Sequence, residues 1–162
     1  ALKKSNIKDV DFIMNLQGDE PAIDIQDIVR LNDKMLQNPS KIGTLASIIK
    51  ENKNLKNENI VKVITENALG ENNFPKGISF LRMSERIDNI YHHIGVYCYS
   101  KDSLEKFVQL SQSKNEIENR LEQLRALDNN IDINVSLAKS SPIGVDTEED
   151  YLALKKIMEY KN

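Results

Sequence analysis

The chain has 162 residues, of which 40% are hydrophobic and 29% are charged, and its net charge at pH 7 is -3. This length can bury a sizeable core, and we expect residues 1–162 to form a single domain. The mild negative charge and the lack of a dense basic patch argue against a nucleic-acid partner. No apolar run approaches the roughly 18 residues that cross a membrane. The single cysteine, Cys98, excludes an intramolecular disulfide and favours a reducing, cytoplasmic setting.

The first half of the chain predicts strands, one helix and polar loops. Val10 to Leu16 is a mostly apolar run that predicts a buried strand ending at Gln17-Gly18. Asp24 can cap the helix that follows, and Asn38-Pro39 ends it. Three further strands are predicted over residues 44–49, 61–65 and 78–82.

The second half alternates strands with helices. Ser113 and Glu116 form an S-x-x-E capping pattern, which predicts the start of a helix through "RLEQLRAL". The other predicted elements are a strand over 90–99, a helix over 102–110, a strand over 131–137 and a terminal helix from 147 to about 160. Such alternation predicts an α/β or mixed-sheet layered fold, in which ligands gather at the carboxyl ends of strands.

Two aspartates each follow a glycine near a predicted strand end. Asp19 lies in "NLQGDEP" and Asp146 in "IGVDTEED". Two carboxylates from separate loops suit a Mg²⁺ ion whose other ligands are substrate phosphates and water. The alternative is structural, because Asp19 can shape a turn and Asp146 can precede a helix N-terminus.

The strand "IYHHIGVYCY" places His93, Gly95 and Tyr97 on one face. A glycine between two polar-tipped rings leaves room for a ligand. The alternative is a core face whose polar tips are satisfied internally. His92 points to the other face, and we expect it near the surface.

Three more polar residues are candidates. Glu122 and Gln123 lie within the predicted amphipathic helix, where a solvated helix face is the usual alternative. Arg82 ends a predicted strand and can hold a carboxylate or a phosphate, or can be an ordinary surface arginine.

Together these stretches resemble the 3-deoxy-manno-octulosonate (Kdo) cytidylyltransferase family, also called CMP-Kdo synthetases. The resemblance is carried by "NLQGDEP", "VKV", "HHIGVYCYSKDSLEKFV", "LEQLRAL" and "IGVDTEEDYLALKKI", in the family's order. It implies a three-layer α/β fold with a mixed, mostly parallel sheet of the nucleotide-diphospho-sugar transferase type, incomplete at its N-terminus.

The resemblance also implies an activity. Members join CTP to the sugar acid Kdo and release pyrophosphate, and the product CMP-Kdo feeds lipopolysaccharide biosynthesis. The anomeric hydroxyl of Kdo attacks the α-phosphorus of CTP, and Mg²⁺ neutralises charge. Members are usually homodimers, so the resemblance implies a homodimer, while the charge and the lack of a long apolar run argue against nucleic-acid and membrane partners.

The resemblance also implies roles for individual residues of this sequence. By resemblance, Asp19 and Asp146 match the Mg²⁺-binding, catalytic aspartates. The positions that match substrate-binding residues are Gln17, Arg82, His93, Tyr97, Glu122 and Gln123.

This sequence departs in places from the family's pattern. The family's Phe-Ser-Arg reads Phe-Leu-Arg here, at Phe80 to Arg82. The Ala-Arg and Pro-x-Lys segments that bind the triphosphate in the family are not found. The chain resembles the C-terminal two thirds of a member, so we expect it alone to bind Kdo weakly and not to turn over CTP. Two alternatives are a cytidylyltransferase for another sugar acid, such as a sialic acid, and a non-catalytic fragment that serves as a binding or dimerisation module.

Overall fold

The computed structural model of the protein describes residues 10–18, 21–139 and 148–159. Most predicted elements are present within these ranges, with ends that shift by one to three residues. The strands are β1 Phe12–Leu16, β2 Ile42–Ser47, β3 Lys62–Thr65, β4 Gly77–Leu81, β5 Ile90–Ser100 and β6 Ile133–Leu137. The helices are α1 Ile25–Gln37, α2 Lys101–Phe107, α3 Lys114–Asn119, α4 Leu124–Asp128 and α5 Glu148–Glu159, with a short 3-10 helix at Asn52–Lys56.

The described strands form one mixed sheet in the order β4-β3-β5-β2-β6, and β1 pairs with β5 outside this path. The predicted mixed α/β sheet is confirmed. The prediction that it would be mostly parallel is wrong for the described strands, because β2 with β6 is their parallel pair and the other pairings are antiparallel. Three of these antiparallel pairings follow from the direction of β5, which runs opposite to β1, β2 and β3, and the fourth joins β3 to β4.

Helices cover both faces of the sheet, as a three-layer fold requires. On one face, Leu31 and Met35 of α1 pack with Leu45 and Ile94. The other face is covered by α2, α3 and α4. Its core residues are Ile42, Ala46, Val63, Phe80, Tyr97, Tyr99, Phe107, Leu121, Leu124, Ala126, Ile131, Ile133 and Val135. We call this second face the aromatic face.

Local signals explain where the helices begin. The Asp24 side chain accepts a hydrogen bond from the backbone N–H of Gln26 at 2.8 Å, which confirms the predicted cap of α1. Ser113 and Glu116 form the predicted reciprocal capping box at α3. These caps satisfy backbone donors that a helix start leaves without intrahelical partners.

Within the described ranges, no helix is both long enough and apolar enough to span a membrane.

Candidate functional site

The middle of β5 is irregular, and this irregularity shapes the site. Thr44 stands opposite Tyr97 and Leu45 stands opposite Ile94, so two β5 residues between them have no partner on β2. A bulge of this kind re-aims side chains and is common beside functional sites. Leu16, the last residue of β1, pairs with Val96 in the bulge. The carboxyl end of β1, with exposed Gln17 directly after it, therefore lies beside the middle of β5.

Thr44 connects the bulge to His93. Its hydroxyl lies 2.7 Å from the carbonyl oxygen of Val96 and 3.0 Å from Nε2 of His93. A hydroxyl has one proton to donate, and the shorter contact to a carbonyl takes it. The Thr44 oxygen then accepts from Nε2–H, which leaves Nδ1 of His93 as the nitrogen with a free lone pair. Thr44 therefore sets both the orientation and the tautomer of His93.

Burial keeps both rings of the predicted pair uncharged. Burial, with a smaller effect from His92, lowers the pKa of His93 to about 3, so this imidazole is neutral at physiological pH. Burial raises the pKa of Tyr97 well above its ordinary value, with smaller contributions from Tyr99 and Glu122. These two side chains thus offer an imidazole acceptor and a phenol donor rather than two charged groups. His92 is half-buried rather than exposed, and burial lowers its pKa also.

The rings of the aromatic face form a continuous row. The centroid of His93 lies 5.1 Å from that of Phe80 in an edge-to-face contact and 5.5 Å from that of Tyr97. Tyr97 in turn lies 5.9 Å from Tyr99, which lies 6.0 Å from Phe107. These spacings are typical of favourable aromatic pairs. The rings of His93 and Tyr97 therefore pack as part of the core, and their contact with a ligand stays a prediction.

Glu122 and Gln123 lie in a turn, so the prediction of a continuous helix through "RLEQLRAL" is wrong. Helix α3 ends at Asn119 because Arg120 adopts a left-handed backbone with φ 53°, and α4 begins only at Leu124. The turn passes over the aromatic face, where the Glu122 carboxylate is close enough to contribute to the raised pKa of Tyr97 and of Tyr99. Gln123 is buried, and its backbone carbonyl accepts a hydrogen bond from the Ala126 N–H.

A buried ion pair between Arg125 and Glu116 lies next to this turn. Arg125 donates from Nε to Glu116 at 2.8 Å and from Nη2 to the same carboxylate at 2.5 Å, and its guanidinium lies 4.8 Å from the Phe107 ring centroid. The hydrogen bonds from Arg125, Gln112 and the Ser113 backbone hold the pKa of Glu116 at about 2. Nη2 of Arg125 also lies 3.3 Å from the Glu122 carboxylate. The pair therefore links the capping box to a predicted site residue.

Arg82 is engaged with the backbone. Its Nε donates to the carbonyl of Asn119, Nη1 to that of Glu58 and Nη2 to that of Arg120, at 3.0 to 3.1 Å. It therefore lies next to the turn that carries Glu122. A role in substrate binding stays a prediction.

Asp19 and Asp146, the two predicted Mg²⁺ ligands, lie outside the described residues. Within the ranges that are described, no group of three His, Cys, Asp or Glu side chains is arranged to hold a metal ion. The structure thus brings together His93, Tyr97 and Glu122, with Gln17 and Gln123 in the adjoining loops, and leaves the Mg²⁺ site a prediction.

Thr44, which contacts the predicted site residue His93, was missed by sequence reasoning. It lies in "TLASII", where nothing but its own polarity distinguishes it from apolar neighbours. The signal available was a fully buried position for a hydroxyl inside a predicted strand, since a buried polar group requires a hydrogen-bond partner.

Curated relatives share this sequence across most of its length. The 3-deoxy-manno-octulosonate cytidylyltransferase of Bartonella tribocorum is 37% identical over 148 residues, which is 90% of this chain and 60% of the relative. The enzyme of the same name from Brucella ovis is 37% identical over 144 residues, or 88% of this chain and 57% of the relative. The chain therefore spans about 60% of the length of such relatives.

Solved structures agree with these sequence matches. A CMP:2-keto-3-deoxy-manno-octonic acid synthetase complexed with CTP has a TM-score of 0.82 and 27% identity, covering 94% of this chain and 63% of the other. A 4-diphosphocytidyl-2C-methyl-D-erythritol synthase from Anaerococcus prevotii has a TM-score of 0.58 at 11% identity, over 96% of this chain and 62% of the other, and shows the shared fold alone. The family model described as cytidylyltransferase matches residues 1–133. On this evidence, the chain belongs to the cytidylyltransferase family.

Proposed function

We propose that this chain provides the sugar-acid side of an enzyme that joins CTP to Kdo, giving CMP-Kdo and pyrophosphate. The observation that carries the proposal is the grouping of neutral His93, protonated Tyr97 and the Glu122 carboxylate at the bulge of β5. Its relatives are named for this reaction, which supports the choice of substrates.

The three side chains suit a polyhydroxylated ligand. Nδ1 of neutral His93 accepts a hydrogen bond from a sugar hydroxyl, because Thr44 already occupies Nε2–H. The Tyr97 phenol donates, and the Glu122 carboxylate accepts from hydroxyls on the other side of the ring. A site that hydrogen-bonds hydroxyls rejects ligands that lack them, because its polar groups are then left unpaired.

The proposed chemistry is a substitution at phosphorus. The anomeric oxygen of Kdo forms a bond to the α-phosphorus of CTP, the bond to the pyrophosphate oxygen breaks, and the hydroxyl proton is lost. The described residues position the sugar for this step, and positioning is a major source of rate in such transfers.

We also propose that Asp19 and Asp146 hold Mg²⁺. Paired carboxylates are suitable ligands for this ion, which would neutralise phosphate charge. The test is metal affinity: isothermal titration of Mg²⁺ should show binding that Asp19→Asn and Asp146→Asn each weaken, and equal affinity in the variants would count against the assignment.

Three further assignments follow from the same family membership. We propose a homodimer, a cytoplasmic location and a role in lipopolysaccharide biosynthesis. The buried, unpaired Cys98 thiol is compatible with a reducing compartment. Analytical ultracentrifugation tests the dimer. The expectation that the chain alone does not turn over CTP stays a prediction, which Mg²⁺-dependent pyrophosphate release tests.

The experiment for the sugar site is an NMR titration of the chain with Kdo. We expect weak but saturable shifts that are largest at His93, Tyr97 and the turn carrying Glu122. A sialic acid and a neutral hexose are the comparison ligands. No saturable shift, shifts remote from the β5 bulge, or tighter binding of the sialic acid would each contradict the proposal.

A further inference from the structure

Two basic side chains gather five backbone carbonyls beside the site. Arg82 donates to the carbonyls of Glu58, Asn119 and Arg120. Lys62 donates from Nζ to the carbonyl of Asn57 at 2.6 Å and to the carbonyl of Arg82 itself at 2.5 Å. The two side chains therefore connect three separate segments of chain. These are the loop before β3, the end of β4 and the turn after α3.

Each contact pairs a backbone carbonyl with a charged hydrogen-bond donor. The last carbonyls of a helix have no intrahelical partner, and Asn119 and Arg120 end α3. The planar guanidinium presents several donors in a fixed fork, so one arginine can hold two successive carbonyls and a third from elsewhere. Lys62 is fully buried, and an ammonium group in that position requires hydrogen-bond acceptors. Its bond to the Arg82 carbonyl fixes the backbone from which the guanidinium extends.

These contacts act on the turn that carries Glu122. Arg120 has a left-handed backbone, which is unfavourable for a residue with a side chain, so the turn requires support from elsewhere. On one side, Leu121 N–H bonds to the Glu116 carbonyl and Arg125 pairs with the Glu116 side chain. On the other side, Arg82 holds the carbonyls at the start of the turn.

We propose that Arg82 and Lys62 are positioning residues, which fix the turn at Arg120 to Gln123 so that Glu122 lies beside Tyr97. The inference rests on the proposed function for the role of Glu122 in binding the sugar acid. It differs from the expectation that Arg82 binds substrate directly, because all three guanidinium nitrogens already donate to backbone carbonyls.

The test is amide hydrogen exchange of the turn in the full chain. Leu121, Arg125 and Ala126 report on it, because their N–H groups bond to the carbonyls of Glu116, Glu122 and Gln123. The Val135 amide, bonded to the Pro75 carbonyl in the sheet, is the internal reference. The variants are Arg82→Met and Arg82→Lys. The matched control is Arg86→Met, since Arg86 is exposed and its Nε donates to the carbonyl of nearby Asp88.

In Arg82→Met we expect the turn amides to exchange roughly tenfold faster or more, relative to Val135. Arg82→Lys should recover only part of the protection, because an ammonium group cannot reproduce the fork. Arg86→Met should leave the ratio unchanged. An unchanged ratio in Arg82→Met overturns the inference. If Arg82→Met does not fold, Arg82→Lys decides by the same ratio.

Kdo affinity separates this inference from the proposed function. If Arg82 acts through the turn, Arg82→Met combined with Glu122→Gln should bind Kdo about as weakly as the weaker of the two single variants. Strictly additive losses, with unchanged exchange in the turn, would make Arg82 a direct ligand. Failure of the unmodified chain to bind Kdo would count against the proposed function, while the exchange ratio would still decide the positioning role.

Discussion

The hydroxyl of Thr44 lies 3.0 Å from Nε2 of His93 and thereby leaves Nδ1 as the ring nitrogen that can accept a hydrogen bond from a ligand. The same hydroxyl donates to the carbonyl of Val96, which the bulge of β5 removes from the β2 ladder. One buried threonine thus serves the fold and the site at once.

Replacing this threonine is the first prediction. Thr44→Val leaves the Nε2–H of His93 and the Val96 carbonyl without their partner, so we expect a loss of about 1–3 kcal/mol in the free energy of unfolding. Kdo binding should weaken, and ¹⁵N shifts of His93 should show mixed tautomers. Thr65→Val is the matched control, because Thr65 is also buried in a strand and donates to the Asn67 carbonyl. A single, unchanged tautomer in Thr44→Val would contradict the assignment.

The second prediction concerns pH. The pKa of His93 is about 3 in the folded chain, below the ordinary value of 6.5, so the unfolded chain binds more protons between these values. The contribution of His93 to the free energy of unfolding is therefore complete above pH 6.5. It declines as the pH falls, by at most about 1.4 kcal/mol per pH unit. Glu116, with a pKa of about 2, adds its own decline only below pH 4.5.

Denaturant titrations between pH 4.5 and 7.5 measure this decline. His93→Gln should flatten most of it, whereas His92→Gln should remove a smaller part, since burial lowers the pKa of His92 as well. A profile that keeps its full slope in His93→Gln would show that another group carries the effect.

The third prediction concerns the ion pair between Glu116 and Arg125, next to the turn that carries Glu122. Glu116→Gln removes the charge that two Arg125 donors contact and leaves the nearly buried guanidinium with the exposed Glu122 carboxylate, 3.3 Å away, as its counter-ion. We expect a loss of about 3 kcal/mol in the free energy of unfolding, with increased mobility of the turn. Glu118→Gln, on the exposed side of the same helix, should change stability by less than about 0.5 kcal/mol. Equal losses of stability in Glu116→Gln and Glu118→Gln would mean that the ion pair does not stabilise the fold.

The fourth prediction separates binding from stability at Glu122. This side chain is 66% exposed, so Glu122→Gln should change stability by no more than about 0.5 kcal/mol. The affinity of the Glu122→Gln variant for Kdo, measured by calorimetry, should nevertheless fall several-fold. The neutral amide accepts hydrogen bonds from sugar hydroxyls less strongly than the carboxylate does. A variant that binds Kdo as well as the unmodified chain would remove Glu122 from the site.

The sequence predicted features that depend on neighbours along the chain. The caps at Asp24 and Ser113 and the shared face of His93 and Tyr97 are local, and the structure confirms them. The break at Arg120 was not predicted, because the apolar spacing of "RLEQLRAL" fits a continuous helix. What ends α3 includes Arg82, a residue from a distant strand end, and tertiary contacts of this kind override helical propensity.

The direction of β5 and the role of Thr44 were missed for a similar reason. A strand's residues show its periodicity but not whether its neighbours run with it or against it. Thr44 becomes a site residue only through the register that sets it opposite Tyr97. Asp19 and Asp146 lie outside the described residues, so their assignment rests on family resemblance.

The central claim is that the bulge of β5 binds Kdo through polar atoms on the aromatic face. The most direct test is the dissociation constant of Kdo for the chain and for Tyr97→Phe, which removes one buried phenol oxygen and keeps the ring. Tyr91→Phe is the control, because the Tyr91 hydroxyl accepts from the Leu69 backbone N–H outside the site. We predict a loss of affinity of about tenfold for Tyr97→Phe and no change for Tyr91→Phe. Equal affinity of Tyr97→Phe and the unmodified chain would contradict the account.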